Sequence, residues 1–459
     1  MIVKARDLFF KQKRFDLIFK YLYLKNRDKN PQFYENLYCE HIRAFNGFYE
    51  QEPSDNIPKN SKEDFLRSFN NLFNSIKKAG FDTSKGTIPI GKNGEISDGA
   101  HRLVCSAILD LNLELEDDGR EDLYDYRFFE KKGLNTDYAD YAALEYVKLN
   151  PNAYIVNLHS VTDQNRDPEV ETILEKYGFI YYKKHITLSY NGYVNIKKLS
   201  YGSFWDRESW IGTSKNKFAG AQMHAKQSMG ASPLRAYIFV CDDIEKVIKV
   251  KKEIRDLFKI GNFSVHINDS REEAICLAQT YFNKNSIEML NNRPFVYENP
   301  SFDQMLVDLK ENIKKYQVNM EDVCGAGSTP FDIYGLRKSS DLDFLYCGDK
   351  SFDLQTETLS NHDSQLKYYP YSKQEIIYNP EHHFYYNGMK FISLEVLYSM
   401  KKNRNEKPKD IRDCKIIKEF KKNKMFKLKY PFKLFDKIKN GNKRTIILLG
   451  LIKFSYQKK

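Results

Sequence analysis

"CGAGSTPFDIYGLRKSSDLDFLY", Cys324 to Tyr346, decides how this chain is read. It sets a small-residue turn, Gly327-Ser328, about a dozen residues before two aspartates one residue apart, Asp341-Leu342-Asp343. Side chains at i and i+2 of a strand project to one face. The two carboxylates therefore point together, where they can share one or two Mg²⁺ (or Mn²⁺) ions, while Leu342 and Phe344 point into a core. The turn lets backbone N–H groups approach phosphate oxygens closely, because glycine has no Cβ. A helix is expected over "TPFDIYGLRKSS", starting at the turn and adding its N-terminal dipole. A phosphate cradle, a dicarboxylate and one connecting helix make up a nucleoside-triphosphate site.

The surrounding segments fit one folded unit. The helix "FDQMLVDLKENIKKYQV" precedes the motif, and "NGMKFISLEVLYSMKKNRNEKPKDIRDCKIIKEF" follows it as a strand, a helix after Ser393 and a helix from near Pro408. This arrangement resembles the nucleotidyltransferase superfamily of the polymerase β type, whose signature is a G-S turn followed by D-h-D on the next strand. Gly327, Ser328, Asp341 and Asp343 match it, and Gly335, Arg337 and Ser340 match the G-x-R-x-x-S-D segment of minimal members. Lys409, Asp410 and Asp413 match a downstream K-D-x-x-D segment. The resemblance covers residues 302 to 420. It implies a nucleotidyltransferase fold in which Asp341 and Asp343 ligate the metals and Ser328 with its neighbouring backbone holds the β and γ phosphates. Two Mg²⁺ ions would bridge the triphosphate and activate an acceptor hydroxyl or phosphate. Arg337 belongs to the fold or the site rim. The family also implies a third carboxylate from a later strand. Asp363, in "SNHDSQLKYY", is the first candidate, with Glu375 and Glu381 behind it.

A second motif lies at "ISDGAHRLVCSA", where Asp98-Gly99 precedes His101-Arg102 at a strand-to-helix junction. A glycine turn, a helix N-terminus, an imidazole and a guanidinium would converge where an anion binds. The stretch resembles the ParB and sulfiredoxin-like superfamily, in which a D-G-x-H-R segment contacts nucleotide phosphates and some members are small-molecule kinases. The resemblance spans residues 60 to 125 and implies phosphate-binding roles for Asp98, Gly99, His101 and Arg102. A kinase that feeds its product to the nucleotidyltransferase is one consequence.

The expected class is multidomain α/β (α+β). Residues 1–149 make a helical and ParB/sulfiredoxin-like module, with Phe65, Phe69, Leu72, Phe73 and Ile76 forming a helical stripe and "LELEDDGREDLYDY" a solvated loop or edge. Residues 150–300 alternate strands and helices as a mixed α/β domain that ends at "NNRPFVYENPSFDQ". Its Lys217, His224, Lys226, Arg235, His266, Asp269, Glu272 and Glu273 suggest a metal or phosphate site, although capping and structural roles carry more weight. His159 and His185 read as satisfied strand residues. Residues 301–420 carry the nucleotidyltransferase-like domain and 421–459 a basic-apolar tail.

Charge and cysteine usage narrow the function. The 459 residues carry a net charge of +11, but from Lys415 onward there are 15 Lys and Arg against Glu419 and Asp436. The upstream 58 basic and 60 acidic residues balance, so charge indicates no broad nucleic-acid face. Seven scattered cysteines without a C-x-x-C pair point to a reducing cytoplasm, and the N-terminus lacks the apolar core of a secretory signal. The tail interleaves Lys with Phe, Leu and Ile, which suits a surface helix on anionic lipid at the inner face of a membrane. Rival readings of the tail are nucleic-acid binding or a solvated end. The expected function is Mg²⁺-dependent nucleotidyl or phosphoryl transfer from a nucleoside triphosphate to a small molecule or sugar, as in surface polysaccharide assembly. The alternatives are nucleotidylation of protein or tRNA, toxin-like, and a non-catalytic sensor of nucleoside triphosphates.

Overall fold

Ile2–Lys4 (β1), Ile88–Ile90 (β2) and Asn112–Asp117 (β3) form a sheet in the order β1-β3-β2, β3 running antiparallel to β1 and parallel to β2. The acidic "NLELED" is therefore the central strand and not a loop or edge. Leu113 and Leu115 bury themselves at every second position and leave the acids outside. The computed structural model describes residues 1–51, 58–202, 209–406, 408–429, 435–440, 443–448 and 452–457. They divide into two compact units, one of residues 1–364 and 371–393, the other of 365–370 and 394–459.

In the first unit, the helices Ala5–Lys11, Asp16–Asn26 and Pro31–Asn46 pack near the first sheet, and Lys62–Ala79 begins at Ser61, whose side chain accepts from Asp64 N. An ion cluster is buried among them. Asp16 accepts from Arg14 Nε at 3.0 Å and Lys20 Nζ at 2.6 Å, and Lys20 also meets His41 Nε2 at 3.1 Å. Arg14 donates to Ile96 O, while Gln12 pairs with Gly94 O and Ile96 N, so this corner clamps the loop before Asp98.

Ala153–Leu158 (β4), Phe179–Ile186 (β5), Leu234–Val240 (β6) and Val265–Ile267 (β7) form an antiparallel sheet in the order β5-β6-β4-β7. Every residue of β6 is buried, including Arg235, whose charge is met by Asp167 at 3.1 Å. After β5 the chain continues into the helix Tyr190–Gly202.

Val323–Ala326 (β8), Leu342–Tyr346 (β9), Leu359–Asn361 (β10), His383–Tyr386 (β11) and Met389–Ile392 (β12) form the third sheet, order β10-β9-β8-β12-β11. β8 is antiparallel to β9 and parallel to β12, and β10 is parallel to β9. Lys148 and Lys390 both reach Glu321, at 2.9 and 3.0 Å, and Lys29 reaches Asp322 at 2.9 Å, so charge pairs tie an earlier helix, an earlier turn and β12 to the residues just before β8.

In the second unit, the helices Leu394–Arg404 and Pro408–Lys429 form a hairpin. Lys401 and Arg404 meet Asp410 at 3.3 and 2.6 Å, and Lys401 meets Asp413 at 3.4 Å. Beyond it, Phe435–Asn440 (β13), Lys443–Leu448 (β14) and Ile452–Gln457 (β15) pair antiparallel in chain order. The surface helix expected of the tail is thus replaced by strands over these residues. Its β-branched and aromatic content and the Asn440-Gly441-Asn442 break favour strands over a helix.

Removing the acid of a buried ion cluster leaves its cations uncompensated. Asp16→Asn is expected to lower the unfolding free energy by about 3–5 kcal/mol, read as a fall in the urea midpoint.

Candidate functional site

The turn after β8 and the start of β9 meet because the two strands are antiparallel neighbours, with Ala326 opposite Asp343. Gly325 and Gly327 are both required by close approach. A Cβ on Gly325 would strike the Phe391 ring of β12. One on Gly327, at φ +59°, would overlap the Asp343 carboxylate. The Gly327 backbone therefore lies directly against the second aspartate. Ser328 is buried, and Thr329 Oγ1 donates to Ala326 O.

The helix that follows spans only Thr329–Ile333. The longer helix over "TPFDIYGLRKSS" does not form, because Gly335 turns the chain at φ +65° and Asp332 gathers the next loop. Asp332, 1% exposed, accepts from Ser339 N at 2.6 Å, Tyr297 OH at 2.9 Å and Asn299 Nδ2 at 2.8 Å. Ser339 Oγ in turn donates to Ser328 O at 3.1 Å. Five residues make too little helix for a dipole argument, so the turn's own backbone must serve an anion. Arg337 lies with its guanidinium 5.1 Å from the Phe331 ring centre and donates to Lys338 O, a role within the loop.

Leu342 and Phe344 are fully buried while Asp341 and Asp343 are partly open. Asp341 precedes the strand and accepts from Ser340 Oγ at 3.2 Å. Asp343 accepts from Ser360 Oγ at 2.8 Å and lies 3.7 Å from His362 Nε2. Ser360 is its register partner on β10, so the residue opposite Asp343 on that strand is a serine and not an acid. Asp363 lies past the end of β10, at the start of the 3-10 turn Asp363–Tyr368. There it pairs with Lys373 at 2.8 Å and lines a cavity of about 950 Å³ with Lys29, Asp322 and Lys350. Glu375 accepts from Asn30 at 2.8 Å, and its interactions with His382, Asn379 and Asn30 hold its carboxyl down at about 2. Glu381 faces Lys284 at 3.4 Å. The structure brings none of these three to Asp343.

Among the described residues no group of three or more His, Cys, Asp or Glu is arranged to hold a metal. Mg²⁺ keeps several waters and is commonly held by one or two carboxylates together with substrate phosphates. The hard oxygens of Asp341 and Asp343 fit such an ion arriving with its triphosphate. They do not form a preassembled cage.

At the N-terminal motif, Gly99 has φ +76° and opens the helix Ala100–Ile108, and a Cβ there would press on Ile88 and the Arg102 guanidinium. Asp98 is exposed. Arg102 donates to Gly86 O at 3.1 Å. His101 turns inward, its Nε2 3.0 Å from Tyr38 OH and its ring 4.6 Å from that of Phe69. Burial, with Lys20 and His41 nearby, pushes its imidazole well below the usual range, so it offers no positive charge. The imidazole and guanidinium thus serve the local fold and do not converge on one free face.

In the middle region Arg235 pairs with Asp167 at 3.1 Å and Lys251 with Asp269 at 3.1 Å. His266 Nε2 meets Glu273 at 2.6 Å, and His224 Nδ1 meets Ser228 Oγ at 3.1 Å. Lys217 adopts φ +55° at the end of a 3-10 turn. Lys197, which the sequence pattern did not single out, is 1% exposed and contacts His159 Nε2 at 2.7 Å. Burial pushes its ammonium well below the usual range. Its i+4 neighbour Tyr201 on the same helix is the only local hint of a partly polar face. Asp332 and Ser360 were missed too: Tyr297 and Asn299, which bond Asp332, lie in the segment read as a domain end, and the register that sets Ser360 opposite Asp343 leaves no mark in the sequence.

Gly327→Ala is expected to cost about 1–2 kcal/mol from its left-handed backbone alone, and more because the methyl displaces Asp343. Gly388→Ala, at φ +76° with nothing within 4 Å, supplies the comparison that carries the backbone cost only. Thermal unfolding of the two variants should place Gly327→Ala lower.

No protein-family model, curated protein or solved structure matches the chain.

Proposed function

We propose that the edge formed by Gly327, Ser328, Asp341 and Asp343 binds a Mg²⁺–nucleoside triphosphate and transfers its nucleotidyl or phosphoryl group to a small-molecule or sugar acceptor. The observation that carries this reading is the contact of the Gly327 backbone with the Asp343 carboxylate, which leaves no room for a Cβ. That contact supports the reading because it puts turn backbone and a carboxylate oxygen side by side. Sequence pattern alone put the two a dozen residues apart.

In this reading Asp341 and Asp343 hold Mg²⁺, which would neutralise the triphosphate and its leaving group. The turn at 327–328 orients the phosphates through backbone N–H groups, and the Asp332 hydrogen bonds keep that turn in place. Ser360 and His362 touch or approach Asp343 and orient its carboxylate.

A second reading, nucleotide binding without turnover, is favoured by one feature: the residue opposite Asp343 on β10 is Ser360 and not an acid. One experiment separates them. The pure protein is incubated with each nucleoside triphosphate, Mg²⁺ and a metabolite extract, while pyrophosphate release and mass shifts are followed. Transfer is expected, falling at least a hundredfold in Asp343→Asn, on the order of the several kcal/mol that a metal supplies. Ser360→Asp is expected to tighten Mg²⁺ and raise turnover. Tight nucleotide binding with no product in either the natural protein or Ser360→Asp would establish the sensor reading instead.

A further inference from the structure

A cavity of about 780 Å³ lies between the helix Tyr190–Gly202 and the β11–β12 hairpin, lined in part by Lys198, Phe218, Gln279, Arg293, Tyr297 and Tyr386. Its volume falls within the roughly 300–1,000 Å³ of small-molecule sites. We propose that it binds a polyhydroxylated small molecule, a sugar or sugar phosphate. The inference rests on the cavity and not on the nucleotide reading above.

Three features select this chemistry. First, Gln279 is 3% exposed and its Oε1 has no hydrogen-bond partner. A buried amide oxygen left unpaired costs about 1–3 kcal/mol, which a ligand hydroxyl would recover. Second, both cations keep donors in reserve. Lys198 Nζ donates to Phe295 O at 2.7 Å, and Arg293 donates to Ile333 O and to Tyr297 O. Neither forms an ion pair among the described residues. An ammonium has three N–H donors and a guanidinium five, so each can serve a ligand without breaking its present bonds. Burial, reinforced by Arg293, brings the Lys198 amine down to about 8.

Third, the wall carries charges of both signs. Glu298 and Asp303 line the same cavity, which offsets the cations and disfavours a polyanion. A hydroxyl both donates and accepts, so a sugar can pair with carboxylates, amide and cations on one wall. Aromatic rings take up the apolar C–H faces of such a ligand. Arg293 sits 5.4 Å from the Tyr297 ring centre and 5.0 Å from that of Tyr386, which holds these rings in place.

The test uses the full chain without nucleotide or Mg²⁺, so its outcome is independent of transferase activity. Saturation-transfer NMR and calorimetry are run with two arms of probes: glucose, galactose and N-acetylglucosamine, and their 1-phosphates. At least one probe is expected to bind with Kd of about 1 mM or tighter. Gln279→Leu should weaken it at least tenfold while holding or raising the melting temperature, because the substitution removes an orphaned polar group from a buried place. Lys198→Met should weaken it likewise, and serves as the second variant should Gln279→Leu not fold. Preference for the phosphate arm would assign Lys198 and Arg293 to the phosphate, and preference for the neutral arm would assign them to hydroxyls. Absence of saturable binding in both arms would overturn the proposal, as would binding that both variants retain in full.

Discussion

The site depends on one steric constraint: at residue 327 the chain must turn at φ +59° with its backbone against the Asp343 carboxylate. An L side chain fails twice there, through the left-handed backbone and through overlap with the acid. The antiparallel pairing of β8 and β9 produces the constraint by setting Ala326 opposite Asp343. Gly325 assists from the other side by letting Phe391 of β12 pack flat on β8. A three-strand core with two glycines on its central strand and turn is thus what draws the signature residues together.

The second requirement is a stiff frame for that turn. A five-residue helix has little stability of its own, since nucleating a helical turn is unfavourable. Asp332 substitutes for helix length by accepting three hydrogen bonds, two from Tyr297 and Asn299 upstream and one from Ser339 downstream. Arg293 adds a bond to Ile333 O. Residues 293 to 299, which by composition read as a linker, therefore brace the candidate phosphate turn. They also form part of the wall of the cavity proposed to take a sugar. A ligand there would touch the same frame.

Much of this was legible in the chain because it is local. Gly327-Ser328 and Asp341-x-Asp343 are close in sequence, and strand alternation assigns Leu342 and Phe344 inward without reference to the rest. The stripe through Phe65, Phe69 and Ile76 announces its helix by periodicity. What was not legible depends on partners far away. The extent of the connecting helix depends, besides the turn at Gly335, on Tyr297 and Asn299, which lie far upstream of it. Which residue faces Asp343 depends on the register of β10, a three-residue strand without a hydrophobic signature of its own. Acid content made β3 look like a loop, whereas two leucines at alternate positions suffice for a central strand. His101 resembled an anion ligand by its place before a helix, yet Tyr38 and Phe69 turn it into the core.

In the proposed function Asp341 and Asp343 hold a divalent ion against a triphosphate lying on the 327–328 turn. Anomalous scattering from Mn²⁺ in crystals grown with a non-hydrolysable nucleoside triphosphate analogue tests this most directly. The expected result is a peak in contact with carboxylate oxygens of both Asp341 and Asp343, with the β and γ phosphates against the backbone of Gly327 and Ser328. A peak elsewhere, or a nucleotide bound away from this turn with Asp343 still held by Ser360 alone, would contradict the account.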